Sequence, residues 1–161
     1  MNVAIIVWSE TGKTMLLAEM ARDKLTAAGH QVVLTRLQTT ATFDAKHNLP
    51  EKDIKFSNLP DISNADRVVI GGPVWAFRPC ATVKKAVSEL GAQLKGKTVL
   101  IFVTHAFPWA WLTGTSSANT LRRMAADQGA KILPGVVLSG SQKKDQSKYP
   151  TAAEKICALL G

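Results

Sequence analysis

Five short apolar runs rich in β-branched residues, with helical patterns between them, constrain the fold more than any other feature of this 161-residue chain. They fall at residues 3–7, 32–37, 68–70, 99–103 and 132–138. Each is almost continuously apolar, as in strands covered on both faces. Between them, Leu17, Ala21, Leu25 and Ala28 recur at helical spacing before Gly29, and Cys80, Val83, Val87 and Leu90 do so before Gly91. Leu121, Met124 and Ala125 precede Gly129, and Thr151 with Glu154 has the spacing of a capping box opening a last helix. The alternation predicts an α/β fold: a doubly wound, five-stranded parallel sheet with right-handed crossovers and helices on both faces. Pro134 lies inside the last run and cannot donate to a strand on both sides, so that run is expected at an edge. Residues 39–65 are polar and broken by Pro50 and Pro60, and only an irregular or short helix is expected there.

The length suits one domain, here 1–161, and no repeat or linker interrupts it. No apolar run approaches the roughly 20 residues of a membrane span, and Asn2 leads into the first strand rather than into a signal peptide. A cytoplasmic location is expected. Cys80 and Cys157 are too few and too far apart for a disulfide framework or a redox pair, and read as buried thiols. The net charge of +8 favours anionic partners, from phosphorylated cofactors to acidic proteins. Basic residues are dispersed, with pairs at Lys84-Lys85, Arg122-Arg123 and Lys143-Lys144, and no stripe suited to a nucleic acid backbone is visible.

The segment Trp8-Ser9-Glu10-Thr11-Gly12-Lys13-Thr14 follows the first strand and ends like a triphosphate-binding loop. That loop needs a further glycine five residues before Gly12, where this chain has Val7, and no later strand ends in a magnesium-binding aspartate. Triphosphate hydrolysis is therefore not the expected chemistry. Three hydroxyls and a run of main-chain N–H groups at a helix N-terminus still suit a single phosphate, although an ordinary capped turn would have the same composition.

This loop resembles that of the flavodoxin family, whose pattern Ser/Thr-x-Thr-Gly-x-Thr is matched by Ser9, Thr11, Gly12 and Thr14. The resemblance extends over nearly the whole chain and is to the short-chain members. It implies strand order 2-1-3-4-5 and bound flavin mononucleotide (FMN), with the phosphate held by Ser9, Glu10, Thr11, Gly12, Lys13 and Thr14. Ligands of such sheets bind at the carboxyl ends of strands near the switch in strand order, which brings in the loop after the third strand. There, Pro73, Val74, Trp75, Ala76 and Phe77 are expected beside the flavin ring, with Trp75 in the place of the family's stacking aromatic; packing is the alternative for Trp75 and Phe77. From the loop after the fourth strand, the resemblance implies Thr104, His105, Ala106, Phe107 and Trp109 near the ring's pyrimidine edge. Trp111 adds to that aromatic cluster, and His105 either bonds a ligand or is structural.

Three departures bear on function. Lys13 stands where asparagine is frequent. Ala76-Phe77-Arg78 replaces the glycine whose peptide can turn toward flavin N5, which weakens the expectation of one-electron stabilisation. The chain is basic, whereas carriers of the family are usually acidic.

The flavin would carry the redox chemistry, so no acid or base is required of the protein, and no nucleophile elbow or zinc-binding helix motif occurs. The expected function is FMN-dependent electron transfer with a redox partner protein. The alternatives are an FMN-dependent NAD(P)H:quinone oxidoreductase, in which NAD(P)H is the donor and a small molecule such as a quinone the acceptor, and a binding module that has lost flavin. If the chain is an enzyme, an FMN-dependent NAD(P)H oxidoreductase is expected.

Overall fold

The computed structural model describes residues 1–40, 50–140 and 146–161, with the backbone alone for Ala110 and Trp111. In chain order the elements are β1 (Asn2–Val7), α1 (Lys13–Ala27), β2 (Gln31–Arg36), β3 (Arg67–Trp75), β4 (Arg78–Pro79), α2 (Ala81–Leu90), β5 (Thr98–His105), α3 (Ala110–Asp127), β6 (Lys131–Ile132), β7 (Val136–Ser139) and α4 (Lys148–Leu160). The sheet order is β2-β1-β3-β5-β6, and β7 continues the outer position along β5. With β6 and β7 as two halves of a fifth strand, this is the expected 2-1-3-4-5. All these pairings are parallel, β1 lying between β2 (Asn2↔Gln31 to Val7↔Arg36) and β3 (Val3↔Arg67 to Val7↔Gly71).

Successive side chains of a strand point to opposite faces, and here both faces are covered. Ala4, Ile6, Val68, Ile70, Val99 and Ile101 pack with Val83, Val87 and Leu90 of α2 and Leu121 and Ala125 of α3. Val3, Ile5, Val7, Val69, Leu100 and Phe102 pack on the other side with Leu17, Ala21 and Leu25 of α1 and Ala153, Ile156 and Leu160 of α4. Two cores on one sheet explain why the central runs are apolar without alternation, each fully buried aliphatic side chain contributing roughly 1.5–3 kcal/mol. Cys80 is buried in the first core, and burial pushes its thiol up to about 12; Cys157 is half-buried with Sγ 3.7 Å from the Ala21 carbonyl.

Several expectations needed correction at element ends. β2 is an edge strand with alternating exposure, Val33 being 66% exposed, because only one of its faces meets the core. The fifth run divides: Leu133 donates to the Val99 carbonyl, but Pro134 has no N–H, and pairing resumes only at Val136. α4 begins at Lys148, so Thr151 and Glu154 lie inside the helix and form no capping box. Ala28 is the exposed residue at the end of α1 and adds nothing to its buried face. In the crossover between β2 and β3, the described residues form a short 3-10 turn at Glu51–Asp53 and a bridge between Thr39 and Phe56, while buried Leu37, Ile54 and Ile62 anchor it. Residues 41–49 of this stretch, like Lys143-Lys144, lie outside the described residues.

Candidate functional site

The C-terminal ends of β1, β3 and β5 place three chain segments side by side. Trp8 N donates to the Gly71 carbonyl at 3.1 Å, joining the first loop to β3. Thr14 and Thr104 share a buried hydroxyl–hydroxyl hydrogen bond of 2.8 Å, joining α1 to β5. Arg36, at the end of β2, donates from Nε and Nη2 to the Ser9 carbonyl at 3.0 and 2.5 Å and so fixes the loop from its outer side.

Within the loop, Gly12 takes φ 85°, a left-handed conformation that glycine adopts without a Cβ penalty, and α1 starts at the next residue. No side chain of Gly12 can cap the helix; Ser9 Oγ accepts from Met15 N at 3.2 Å, one turn in. The start of α1 therefore presents main-chain donors and the positive end of the helix dipole to the opening between the strand tips.

That opening is a cavity of about 130 Å³ lined by Glu10, Thr11, Lys13, Thr14, Pro73, Val74, Trp75, Thr104, His105 and Ala106. A second cavity of about 120 Å³ shares Val74, His105 and Ala106 with it and adds Ala76, Phe77, Phe107 and Thr113. Together they collect residues of all three predicted segments. Ser9 and Gly12 line neither cavity and instead shape the loop. Trp109 also lines neither and is 57% exposed at the start of α3. The side chain of Trp111 lies outside those described; its backbone belongs to α3, so the third loop is shorter than expected.

The second segment is a strand and a hairpin where a loop was expected. β3 runs through Gly71-Gly72-Pro73 to Trp75, and β4 returns antiparallel with Trp75 opposite Arg78. The two-residue turn puts Ala76 at φ 45° and Phe77 at φ 63°, a left-handed geometry that costs a non-glycine residue about 1 kcal/mol or more. It brings the Phe77 ring over Phe107, with centroids 5.6 Å apart and planes 20° from parallel.

His105 lines the same cavity as this stack and is only 2% exposed, with Nε2 3.0 Å from Ser139 Oγ and Nδ1 without a partner. Burial lowers its pKa below the usual 6.5, which keeps the imidazole neutral at pH 7. Thr113 Oγ1, also buried and without a partner, lines the same cavity. Sequence reasoning missed Thr113 and Arg36. Thr113 belongs to a Thr-x-x-x-Ser pair with Ser117 on the inner face of α3, a weak sign of a polar interior; nothing in the sequence marks Arg36.

A larger groove of about 470 Å³, lined by residues that include Ala4, Val33, Thr35, Pro60, Ile62 and Ala65, opens toward the N-terminal half of β1 and β2. Its size does not outweigh its position, because it lies away from the strand tips where parallel sheets present helix N-termini. Among the described residues, no helix is long and apolar enough to cross a membrane.

A family model described as the flavodoxin-like fold matches residues 1–160. No curated protein matches the chain by sequence. Among solved structures, a flavodoxin from the domain Archaea aligns with TM-score 0.70 and 12% identity over 99% of this chain and 96% of its own. The two-electron reduced flavodoxin of Megasphaera elsdenii aligns with TM-score 0.67 and 20% identity, covering 97% and 98%. An NADH:FMN oxidoreductase in its apo form gives TM-score 0.67 and 20% identity, covering 98% of this chain and 88% of that one.

Proposed function

The chain belongs to the flavodoxin-like family, and from that premise we propose that it binds FMN between its strand tips and transfers electrons through it. The observation that carries this reading is the meeting of Thr11, Lys13 and Thr14, Trp75, and Thr104 and His105 around one cavity at the start of α1. The donor set suits the cofactor. Main-chain N–H groups, the Thr11 hydroxyl and Lys13 supply what a phosphate dianion requires, and the unpartnered His105 Nδ1 and Thr113 Oγ1 supply polar contacts deeper in.

When bound, the flavin supplies reversible electron acceptance, and the protein supplies position and field. Thr11 and Lys13 would hold the phosphate, and Trp75 would offer its face to the ring system. The two cavities, each smaller than the roughly 300–1,000 Å³ of usual ligand pockets, meet at Val74, His105 and Ala106, and Trp75, Phe77 and Phe107 would border the ring system. The hydrogen-bonding pattern at His105 leaves Nδ1 the atom available to a ligand.

A second reading, an FMN-dependent NAD(P)H:quinone oxidoreductase, is favoured by the Phe77–Phe107 stack, an exposed aromatic surface on which a flat acceptor could lie. Purified protein, titrated with FMN while flavin fluorescence is followed, separates these readings from a flavin-free module. Stoichiometric quenching is expected, weakened roughly 10–150-fold by Thr11→Ala, the loss of one hydrogen bond to a charged group. No uptake of flavin would end the redox reading. Under anaerobic conditions, rapid bleaching by NAD(P)H followed by quinone turnover would select the oxidoreductase; reduction only by an artificial one-electron donor would select the carrier.

A further inference from the structure

The rim of this site also has the make-up of a protein-docking surface. Six large apolar residues are exposed among those described, and four of them, Phe77, Phe107, Trp109 and Leu112, lie at this one edge. Phe77 and Phe107 are stacked, and Trp109 and Leu112 form the first turn of α3 immediately after Phe107, with Leu112 N donating to the Trp109 carbonyl. Exposed aromatics gathered in one place mark interaction surfaces more often than isolated ones do.

The charges around this centre are mostly of one sign. Arg78 follows Phe77 directly and is exposed. Lys13 lines the adjoining cavity. On the far side, Gly140 N donates to the Phe107 carbonyl, and Lys148 Nζ approaches the Gly140 position, while Lys148 and Lys155 line a hollow that includes Pro108. Among the described residues lining these two cavities, Glu10, beside Lys13, is the only acidic one.

We propose that this face docks an acidic redox protein, its apolar centre meeting the partner's electron-exit site and its cationic rim steering the approach. The proposal rests on the electron-transfer reading above and names the partner's chemistry. Cations surrounding a desolvated apolar centre raise the association rate and set orientation, and their effect weakens with salt. The same surface would repel a basic partner, so the choice of partner is opposite in sign to that of an acidic carrier.

The test uses a purified acidic [2Fe–2S] ferredoxin as probe, titrated calorimetrically into the FMN-treated chain. Saturable one-to-one binding at low salt is expected, weakened about tenfold or more on raising the ionic strength from about 20 to 200 mM. Arg78→Glu with Lys148→Glu should weaken it by at least about tenfold, and Leu112→Ser by a smaller factor, with FMN uptake and circular dichroism unchanged. No binding of the probe, binding indifferent to these substitutions, or preferential binding to phosphatidylserine vesicles would overturn the proposal. FMN uptake, measured in the same samples, keeps the two questions apart: flavin bound without probe binding defeats the docking surface alone, and probe bound by a chain that takes up no flavin defeats the redox reading.

Discussion

The hydroxyls of Thr14 and Thr104 lie 2.8 Å apart in a buried contact that ties the first turn of α1 to the end of β5. Each hydroxyl satisfies the other, so removing one leaves its partner buried and unpaired. Thr14→Val or Thr104→Val alone should cost about 1–3 kcal/mol in urea denaturation, and the double substitution less than the sum. A coupling of about 0.5–1.5 kcal/mol from the double-mutant cycle is expected; additivity would mean that the two loops are held together by other contacts.

Ala76 is held at φ 45° in the turn between β3 and β4, where glycine would carry no strain. Ala76→Gly gains the relieved strain of about 1–2 kcal/mol and loses about 0.5–1 kcal/mol to the freer unfolded chain. A net stabilisation of a few tenths to about 1 kcal/mol should appear as a higher urea midpoint. A lower midpoint would show that the turn is not strained.

Burial lowers the pKa of His105 below 6.5, so on acidification the unfolded chain takes up this proton before the folded one does. Stability from this group is complete above pH 6.5 and declines as the pH falls from there toward the folded-state pKa, by at most about 1.4 kcal/mol per pH unit. His105→Gln should flatten that part of the stability–pH curve measured between pH 7 and 5. An unchanged slope would assign the acid sensitivity to other groups.

Gly71 and Gly72 in β3 are required by what presses against them: a Cβ on Gly71 would enter the Phe102 ring, and one on Gly72 would collide with the Val83 side chain. Gly71→Ala should destabilise the fold by about 1–3 kcal/mol or more. Adding Phe102→Leu should recover part of that loss, since the obstructing ring is gone. If Gly71→Ala is neutral to thermal unfolding, the close packing of β3 on β5 is looser than the geometry implies.

Much of the fold and of the candidate site is readable along the chain because the signals are local. The runs containing Ile5, Val69 and Leu100 are apolar at every position, and that alone requires helices on both faces of a parallel sheet. Gly12 before a Lys-Thr helix start announces a left-handed turn into α1, and Pro134 announces an edge, because each sets its own backbone. The residues expected from the three segments do gather at the strand tips, all but Ser9, Gly12 and Trp109 lining a cavity.

Tertiary structure alone decided the features that depend on residues far apart in sequence. Thr14, at the edge of the cavity, gives its hydroxyl to a bond with Thr104, and Arg36 braces Ser9 across 27 positions. The left-handed turn at Ala76-Phe77 has no glycine to announce it; it persists because β4 pairs back on β3 and Phe77 stacks on Phe107. His105 became a buried neutral imidazole only because α3 and Ser139 of β7 enclose it. Backbone preferences belong to each residue and its neighbours, whereas burial, strain and polar pairing are set by whichever distant segment packs alongside.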